Sequence, residues 1–232
     1  HDTPLKISSG ALDMFADTMA DYNGTVGFDD IRADNAIAYI SPSFSGFQFA
    51  GAIVPGSAST AGGDTNLDSD SLAEGFSLAA IYSNGPFYAS VAYESLSDDL
   101  IATEVADVLL VPRDDYNKWR VGLGLLDWNG FTLTGIYENQ DLSDQDRDLY
   151  QIQAAYAFGN NTIKGMYGWS NRDYDFRRDE LGESLQDIFD NDRSSWAVGF
   201  DHNLSKRTLA YVLYTDVDDD NENVNSWSGW SL

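Results

Sequence analysis

Hydrophobic and polar side chains alternate along most of the chain with a period of two residues. In the stretch 31–54, Ile37 and Tyr39 are separated by a small residue, and Phe47 and Phe49 repeat the pattern after a short turn. Such alternation predicts β-strands with one apolar face and one small or polar face. Two strands joined by a turn form a hairpin, and the chain repeats this unit.

The alternation predicts about eleven strands, most of them near ten residues long. Their ranges are 31–41, 47–54, 75–83, 87–95, 116–126, 131–139, 149–158, 162–170, 194–203, 208–215 and a last strand from Ser226. Between them, short turns alternate with longer acidic loops at 55–73, 96–115, 140–148, 171–193 and 216–225. In an antiparallel meander, the turns then lie at one end of the strands and the loops at the other.

A soluble β-sandwich and a membrane β-barrel both have strands with one polar and one apolar face. Aromatic residues near strand ends favour the barrel because they form girdles at the two membrane interfaces. These aromatic residues are Tyr39, Tyr82, Tyr93, Tyr137, Tyr156 and Phe158. The opposite face carries charges that a water-filled lumen accommodates and a dry core does not. We expect Arg32, Glu94, Arg120, Lys164 and Asp201 to face this lumen.

The first 30 residues follow a different pattern, with apolar residues at helical spacing. Asp13, Asp17 and Asp21 recur every four residues, so a helix over 9–21 would place them on one stripe. The spacing alone leaves two interpretations open. The stripe is either the solvated face of a surface helix or a functional acidic surface.

Composition narrows the function classes. The 232 residues suffice for one or two domains, and 13 Lys and Arg against 38 Asp and Glu give a net charge of −25. This charge argues against nucleic-acid binding and favours attraction of cations. The absence of cysteine excludes disulfides and thiolate metal sites. No apolar run is long enough for a transmembrane helix. Because the chain begins with His1 and shows no signal peptide, we expect a mature protein or a fragment.

Candidate catalytic chemistry is sparse. Neither histidine stands at a suggestive spacing from a serine, so a hydrolase triad is not expected. The acidic loop with Asp218, Asp219, Asp220 and Glu222 does not follow the EF-hand order. It is either a solvated loop or a loose Ca²⁺ or Mg²⁺ site that bridges to lipopolysaccharide. We expect no firm metal site and no cofactor.

Three stretches carry a resemblance to a known family. They are Arg32 followed by NAIAYISPSFSGF at 35–47, YSNGP at 82–86 and LSKRT at 204–208. In their order and spacing they resemble the Gram-negative general porins of the trimeric, sixteen-stranded type. The resemblance implies an all-β, transmembrane, antiparallel up-and-down β-barrel in the outer membrane. It also implies that the chain lacks the first five strands and ends at Leu232 within an unfinished strand.

By the same resemblance, residues 1–30 correspond to the helical loop that folds into the barrel and narrows the pore, and residues 31–232 to the barrel. The constriction would then carry Asp13, Asp17, Asp21, Asp29 and Asp30. In a water-filled gap we expect these acids to stay ionised without a large pKa shift. The implied partners are outer-membrane lipid, lipopolysaccharide, two further copies in a homotrimer, and small hydrophilic solutes and ions, with no nucleic acid.

The predicted function is passive diffusion of small hydrophilic solutes and ions through a water-filled barrel without enzymatic chemistry, with cations preferred because the loops are acidic. One alternative is a substrate-selective channel with a binding site in the constriction. Another is a soluble carbohydrate-binding or calcium-binding β-sandwich. An outer-membrane enzyme is the least favoured because no nucleophile and base form a pair.

Overall fold

The computed structural model of the protein describes residues 2–28, 30–32, 36–55, 73–96, 116–142, 145–174, 191–220 and 226–232. Two short helices, α1 (Pro4–Ser9) and α2 (Tyr22–Thr25), precede eleven strands. The strands are β1 (Ile37–Ile40), β2 (Phe47–Val54), β3 (Gly75–Asn84), β4 (Phe87–Leu96), β5 (Tyr116–Trp128), β6 (Phe131–Leu142), β7 (Gln145–Phe158), β8 (Asn161–Tyr174), β9 (Asn191–Ser205), β10 (Thr208–Asp219) and β11 (Trp227–Ser231).

The strands form one antiparallel sheet in which each strand pairs with its neighbours in sequence, from β1 to β11. This up-and-down order confirms the predicted all-β meander. The single sheet differs from a β-sandwich, in which two sheets pack face to face. No helix among the described residues is long and apolar enough to cross a membrane.

Several strands extend further into the acidic segments than predicted. The expected loop at 140–148 is mostly strand, because β6 ends at Leu142 and β7 begins at Gln145. Its polar side chains stabilise the ladder across the strands. Asn139 pairs with Asp148, and the Tyr137 hydroxyl donates to Asp148 Oδ1 at 2.7 Å. Conversely, β1 is shorter than the predicted strand 31–41 and lies at an edge of the sheet.

The predicted helix over 9–21 is wrong, since α1 ends at Ser9 and α2 begins at Tyr22. Local side-chain bonds hold the backbone between them in turns. Asp13 Oδ1 accepts a hydrogen bond from Phe15 N at 3.0 Å, and the Thr18 hydroxyl donates to Phe15 O at 2.6 Å. Asp17 has a left-handed φ of 60°. Such bonds replace the ladder that a helix would need, so the three aspartates do not form a helical stripe.

Aromatic side chains on the outward face of the sheet form a row toward the end with the long connections. We call it the loop-end row. Six pairs of neighbouring rings in it have centroids 4.9–5.7 Å apart. Its members are Phe76, Tyr93, Trp119, Tyr137, Tyr150, Trp169, Trp196, Tyr214 and Trp230. The register places Tyr93 directly opposite Trp119, so the row continues from β4 to β5.

A second aromatic row, the turn-end row, lies near the short turns. It consists of Phe47, Tyr82, Phe87, Phe131, Tyr156 and Phe158. On β6, Tyr137 of the loop-end row lies six positions after Phe131 of the turn-end row, which corresponds to about 20 Å along a strand. The exposed side chains between the rows are aliphatic, among them Leu78, Val91, Leu123, Leu133, Ile152 and Val198. This outward surface has the form of a membrane-facing apolar band.

The opposite, inward face of the sheet is covered in part by residues 2–32, which we call the inward segment. Its side chains Leu5, Leu12, Phe15 and Val26 are fully buried. The core therefore lies between the inward segment and the inner wall of the sheet.

Candidate functional site

Small inward residues of the wall provide the space in which the inward segment packs. A Cβ atom on Gly122 would lie 2.3 Å from Leu12 Cδ1, and one on Gly124 would lie 2.8 Å from Leu12 Cδ2. Likewise, a Cβ atom on Gly168 would lie 2.3 Å from Val26 Cγ2. A side chain at these positions would displace the segment. The glycines thus fix its position on the wall, a role that the alternation pattern did not reveal.

Side chains of the wall also donate hydrogen bonds to backbone carbonyls of the inward segment. Buried carbonyl groups need such donors wherever the backbone is neither helix nor strand. The donor–acceptor pairs are Tyr88 Oη to Ser8 O at 2.9 Å, Thr134 Oγ1 to Leu12 O at 2.8 Å, Lys164 Nζ to Met14 O at 2.9 Å, Arg147 Nη2 to Val26 O at 3.0 Å and Arg193 Nη2 to Gly24 O at 2.9 Å. The segment is therefore attached to the wall from β4 to β9.

Arg120 forms the most extensive polar contact with the inward segment. Its side chain on β5 is fully buried, and its Nη2 lies 2.9 Å from Asp30 Oδ1. Arg120 Nε donates to Glu138 on β6, and Nη1 donates to Ser9 Oγ at 2.6 Å. The structure thus brings together Asp30, which was expected at the constriction, and Arg120, which was expected to face the lumen. Glu138 was not a predicted site residue.

The environment of Asp30 keeps it ionised. Burial alone would raise the pKa of this carboxyl, but the Arg120 charge and the hydrogen bonds it accepts outweigh burial and hold the pKa below its ordinary value. One of those bonds comes from the Tyr22 hydroxyl at 2.6 Å. Burial raises the pKa of the Tyr22 phenol, so it remains a donor to Asp30.

Asp13 lies in a different environment from the one expected. Its side chain is 8% exposed, and burial raises its pKa to about 6, although Gln153 Nε2 donates to Asp13 Oδ1 at 2.8 Å. The expectation of a solvated acid without a large pKa shift is therefore wrong for Asp13. The reason is that Gln153 also accepts from Met14 N at 2.7 Å and so holds this part of the segment against β7.

Asp17 and Asp21 remain close together. Asp21 caps the N-terminus of α2 by accepting from Asn23 N at 2.9 Å, and it also accepts from Asp17 N at 3.0 Å. Asp17 is exposed. Within the described ranges, neither carboxylate has an ion-pair partner. Asp29 lies outside the described residues.

The other predicted lumen charges also occur in ion pairs. Glu94 on β4 contacts Lys118 on β5 with 3.1 Å between Oε1 and Nζ, and both side chains are buried. Lys164 on β8 lies 3.0 Å from Asp201 on β9, with its Nζ 4.9 Å from the centre of the Phe15 ring. Lys118 was not predicted. Its position directly opposite Glu94 in the β4–β5 register is the signal that could have identified it.

Arg32 does not join this inner group. Its side chain is 71% exposed and its Nε lies 3.1 Å from Asp2 Oδ1. Among the described residues Arg32 thus pairs with Asp2 rather than with Asp13, Asp17, Asp21 or Asp30, and its position facing the lumen stays a prediction. Because Asp2 also contacts Lys6 at 3.1 Å, Arg32 instead belongs to an exposed cluster at the start of the inward segment.

The six aromatic residues that were predicted for the girdle lie in three places. Tyr93 and Tyr137 belong to the loop-end row, and Tyr82, Tyr156 and Phe158 belong to the turn-end row. Tyr39 is exposed on the edge strand β1. Most of the loop-end row was not predicted, including Trp119, Tyr150, Trp169, Trp196, Tyr214 and Trp230.

The described part of the predicted acidic loop, up to Asp220, shows no group that could hold a metal ion. Among the described residues, no three His, Cys, Asp or Glu side chains come close enough to bind a metal ion. Asp219 is buried, whereas Asp218 and Asp220 are exposed. Consecutive strand residues point to opposite faces, so Asp219 points away from Asp218 and Asp220. Glu222 lies outside the described residues.

Comparison with solved structures identifies the fold. The anion-selective porin from Comamonas acidovorans matches with a TM-score of 0.60 at 19% identity, over 93% of this chain and 55% of that one. The outer membrane channel DcaP of Acinetobacter baumannii matches with a TM-score of 0.59 at 15% identity, over 95% and 66%. OmpT of Vibrio cholerae matches with a TM-score of 0.54 at 11% identity, over 81% and 55%. The chain thus spans between about half and two thirds of the length of these proteins.

Comparison with protein-family models identifies the family. The sequence has no significant match among curated proteins, but the model of the Gram-negative porins matches residues 1–222. This match and the single eleven-stranded sheet exclude the alternative of a soluble β-sandwich. The chain therefore belongs to the Gram-negative porin family, which has the fold of a transmembrane antiparallel β-barrel and resides in the outer membrane.

Proposed function

We propose that the protein forms a water-filled channel for passive diffusion of small hydrophilic solutes and ions across the outer membrane. One observation carries this proposal. The sheet has an apolar outward face between two aromatic rows, and a charged inward face against which the inward segment lies. An apolar exterior with a polar interior is the arrangement of a membrane pore. Transport by diffusion requires no covalent chemistry and no cofactor.

In this proposal the inward segment is the narrowest part of the channel. Its attachment to the wall from β4 to β9 supports a fixed constriction rather than a mobile one. Asp17 and Asp21 have no ion-pair partner in the described part of the chain and, unlike Asp13, are not buried. We propose that they face the solute path. Asp13 and Asp30 are held against the wall and act mainly in positioning the segment.

The charge distribution supports a preference for cations. Three of the wall cations, Lys118, Arg120 and Lys164, each lie within 3.1 Å of a carboxylate, so their fields are largely compensated. The net charge of −25 and the two acids of the segment then leave a negative potential in the path. The similar porin from Comamonas acidovorans is anion-selective, so selectivity within this fold depends on the particular charges.

The proposed partners follow from the outward surface. The apolar band between the two aromatic rows would contact lipid, and the loop-end row would lie at the interface below the lipopolysaccharide head groups. We further propose that the channel assembles as a homotrimer, as expected from the sequence resemblance. Cross-linking of the protein in outer-membrane fragments tests that assembly.

Ion selectivity tests the proposed function. In a planar bilayer with a KCl gradient, the parent protein should give single-channel steps and a reversal potential that indicates K⁺ over Cl⁻. The double variant D17N/D21N should shift the reversal potential toward zero, because it removes the two unpaired acids. Asn at position 21 can still cap α2, and Asn at position 17 tolerates the left-handed φ of 60°. A matched control is D127N, at an exposed turn with φ of 49°, which should leave selectivity unchanged.

Two results would contradict this account. If the correctly folded protein gave no single-channel steps in the bilayer, the proposed channel function would be refuted. Equal selectivity of the parent and D17N/D21N would refute the role of the two acids. The comparison should be made at about 0.1 M salt, where the screening length is about 10 Å, and repeated at about 1 M, where it falls to about 3 Å.

A further inference from the structure

The turn between β9 and β10 differs in charge from the other turns at the same end of the sheet. It consists of Lys206 and Arg207, and we call it the basic turn. The other turns at that end contain no charged residue, and they lie at 41–46, 85–86, 129–130 and 159–160. The long connections at the opposite end are acidic. In a chain with a net charge of −25, the basic turn is therefore a local exception.

The basic turn lies beyond the turn-end row of aromatic side chains. The register places Phe158 of that row opposite Asn161, and Asn161 opposite His202. From His202 the β9–β10 hairpin continues to Ser205, which corresponds to about 10 Å along a strand and about 8 Å in depth for a strand tilted by about 40°. The head-group layer of a bilayer is about 5–8 Å deep on each side. Because aromatic rows mark the membrane interface, the basic turn lies at the level of the lipid phosphates.

No acid among the described residues neutralises the basic turn. Neither Lys206 nor Arg207 forms an ion pair with a described carboxylate. Asp201 on β9 pairs instead with Lys164, at 3.0 Å. Asp127, beside the β5–β6 turn, lies four strands away from β9, which corresponds to about 19 Å across a sheet. The described part of the chain therefore leaves both charges to an anion from outside.

An exposed apolar side chain lies next to the two cations. The β9–β10 ladder shifts its register beside the turn, and Leu204 is the additional residue of this β-bulge. Its side chain is 63% exposed. A soluble anion would pair with the cations and leave Leu204 in water. A phospholipid satisfies both features, because its phosphate group lies directly above its acyl chains, and binding to such an interface combines apolar burial with attraction to anionic lipid.

We propose that the basic turn binds an anionic phospholipid in the leaflet on the turn side of the membrane. Lys206 and Arg207 donate hydrogen bonds to the phosphate oxygens, and Leu204 contacts the upper part of an acyl chain. Adjacent basic residues at a membrane surface attract anionic lipid. The bound lipid holds the turn end of β9 and β10 in the head-group layer, which is a binding function besides diffusion.

Local fluorescence quenching tests the proposal with the folded protein in lipid vesicles. The native chain has no cysteine, and Ala210 lies opposite His202 and is exposed, so A210C carries one fluorescent label near the basic turn. The vesicles consist of phosphatidylcholine with either spin-labelled phosphatidylglycerol or spin-labelled phosphatidylcholine at the same mole fraction. Phosphatidylglycerol should quench the label at least about threefold more strongly at about 0.1 M salt, and this ratio should fall toward one at about 1 M.

Two controls locate the effect at the basic turn. A89C, beside the uncharged β3–β4 turn, should be quenched equally by the two lipids. In the A210C protein, K206Q/R207Q should reduce the ratio to about one. The matched change K6Q/R32Q, which removes two cations from the inward segment, should leave the ratio as in the parent.

Equal quenching of A210C by the two lipids would overturn the proposal and leave a soluble acidic partner as the occupant of the turn. A ratio that K206Q/R207Q does not change would also overturn it. Quenching in vesicles does not require conduction. A protein that enriches phosphatidylglycerol at A210C but forms no channel would refute the proposed function alone, and a conducting protein without this enrichment would refute this inference alone.

Discussion

Asp30 and Arg120 form an ion pair that joins the inward segment to the wall of the sheet, with 2.9 Å between Oδ1 and Nη2. Arg120 is fully buried and has Glu138 as a second carboxylate partner. Removing one member of a buried pair leaves a charge without compensation, which commonly costs about 3–5 kcal/mol. Because Glu138 remains, we expect a smaller effect from the loss of Asp30 than from the loss of Arg120.

The first prediction concerns this pair. D30N should lower the stability of the folded protein by about 1–3 kcal/mol and make the inward segment more sensitive to protease. R120M should have a larger effect, since it leaves both Asp30 and Glu138 without their cation. Urea unfolding in micelles and limited proteolysis measure the two effects. R32Q, which removes the exposed ion pair with Asp2, is the control and should change stability by less than about 1 kcal/mol. Equal stability of D30N and R32Q would contradict the account.

The second prediction concerns the glycines of the wall. G122A places a Cβ 2.3 Å from Leu12 Cδ1, so it should destabilise the protein by about 1–3 kcal/mol through overpacking. The double variant G122A/L12A should be more stable than the sum of the two single changes predicts. Urea unfolding of the parent, G122A, L12A and G122A/L12A measures the coupling free energy between the two positions. G135A is the matched control, because its nearest neighbour would be Gln151 O at 3.8 Å. Strict additivity would show that Leu12 does not pack on Gly122.

The third prediction concerns pH. The pKa of Asp13 in the folded protein is raised to about 6 by burial, whereas an unfolded Asp titrates near 3.9. Between these values the unfolded chain binds fewer protons than the folded one, so the contribution of Asp13 to stability falls as pH rises from about 4 to 6. Above about pH 6 the contribution stays constant. The total change is about 3 kcal/mol.

D13N removes this titration. The variant should therefore gain stability relative to the parent as pH rises from 4 to 6, and the difference should then level off. Urea midpoints at pH 4, 5, 6 and 7 measure it. D17N, at an exposed position of the same segment, serves as the control and should follow the parent. A parallel course of D13N and parent from pH 4 to 7 would show that Asp13 is solvated.

Sequence alternation predicted the fold because a period of two follows directly from strand geometry. Ten of the eleven predicted strands from β2 onward overlap the observed strands closely, although the ladders extend further into polar segments such as Asp141 and Asp146. The pairs Glu94–Lys118 and Arg120–Glu138 lie directly opposite in the register. A comparison of opposite positions in the predicted hairpins could have found them.

The inward segment was less predictable because tertiary contacts decide its conformation. Helical spacing of Asp13, Asp17 and Asp21 indicated one helix, yet bonds from Gln153 and Lys164 hold the chain around Met14 in turns. The sequence does not show which wall residues lie beside the segment. For the same reason, the role of Gly122 could not be predicted before the position of Leu12 was known.

The fourth prediction concerns the outward face. Leu133 lies on β6 between the two aromatic rows and is exposed. L133R should destabilise the protein by about 2–4 kcal/mol in a bilayer, since a charge near the membrane midplane is costly. L204R, at an exposed position beside the β9–β10 turn, should cost about 0–1 kcal/mol. Unfolding of L133R and L204R in lipid vesicles measures the two losses of stability. Equal losses would contradict the assignment of the band between the aromatic rows to the hydrocarbon layer.

The proposed position of the inward segment in the solute path is tested most directly by chemical modification of a single cysteine. The native chain has no cysteine, so D17C carries one reactive thiol. A charged, water-soluble thiol reagent added to open D17C channels should change the single-channel conductance, because the modified group narrows the path. Y93C, in the loop-end row, should show no such change. The account predicts a stepwise fall in conductance for D17C alone, whereas unchanged conductance after complete modification of D17C would contradict it.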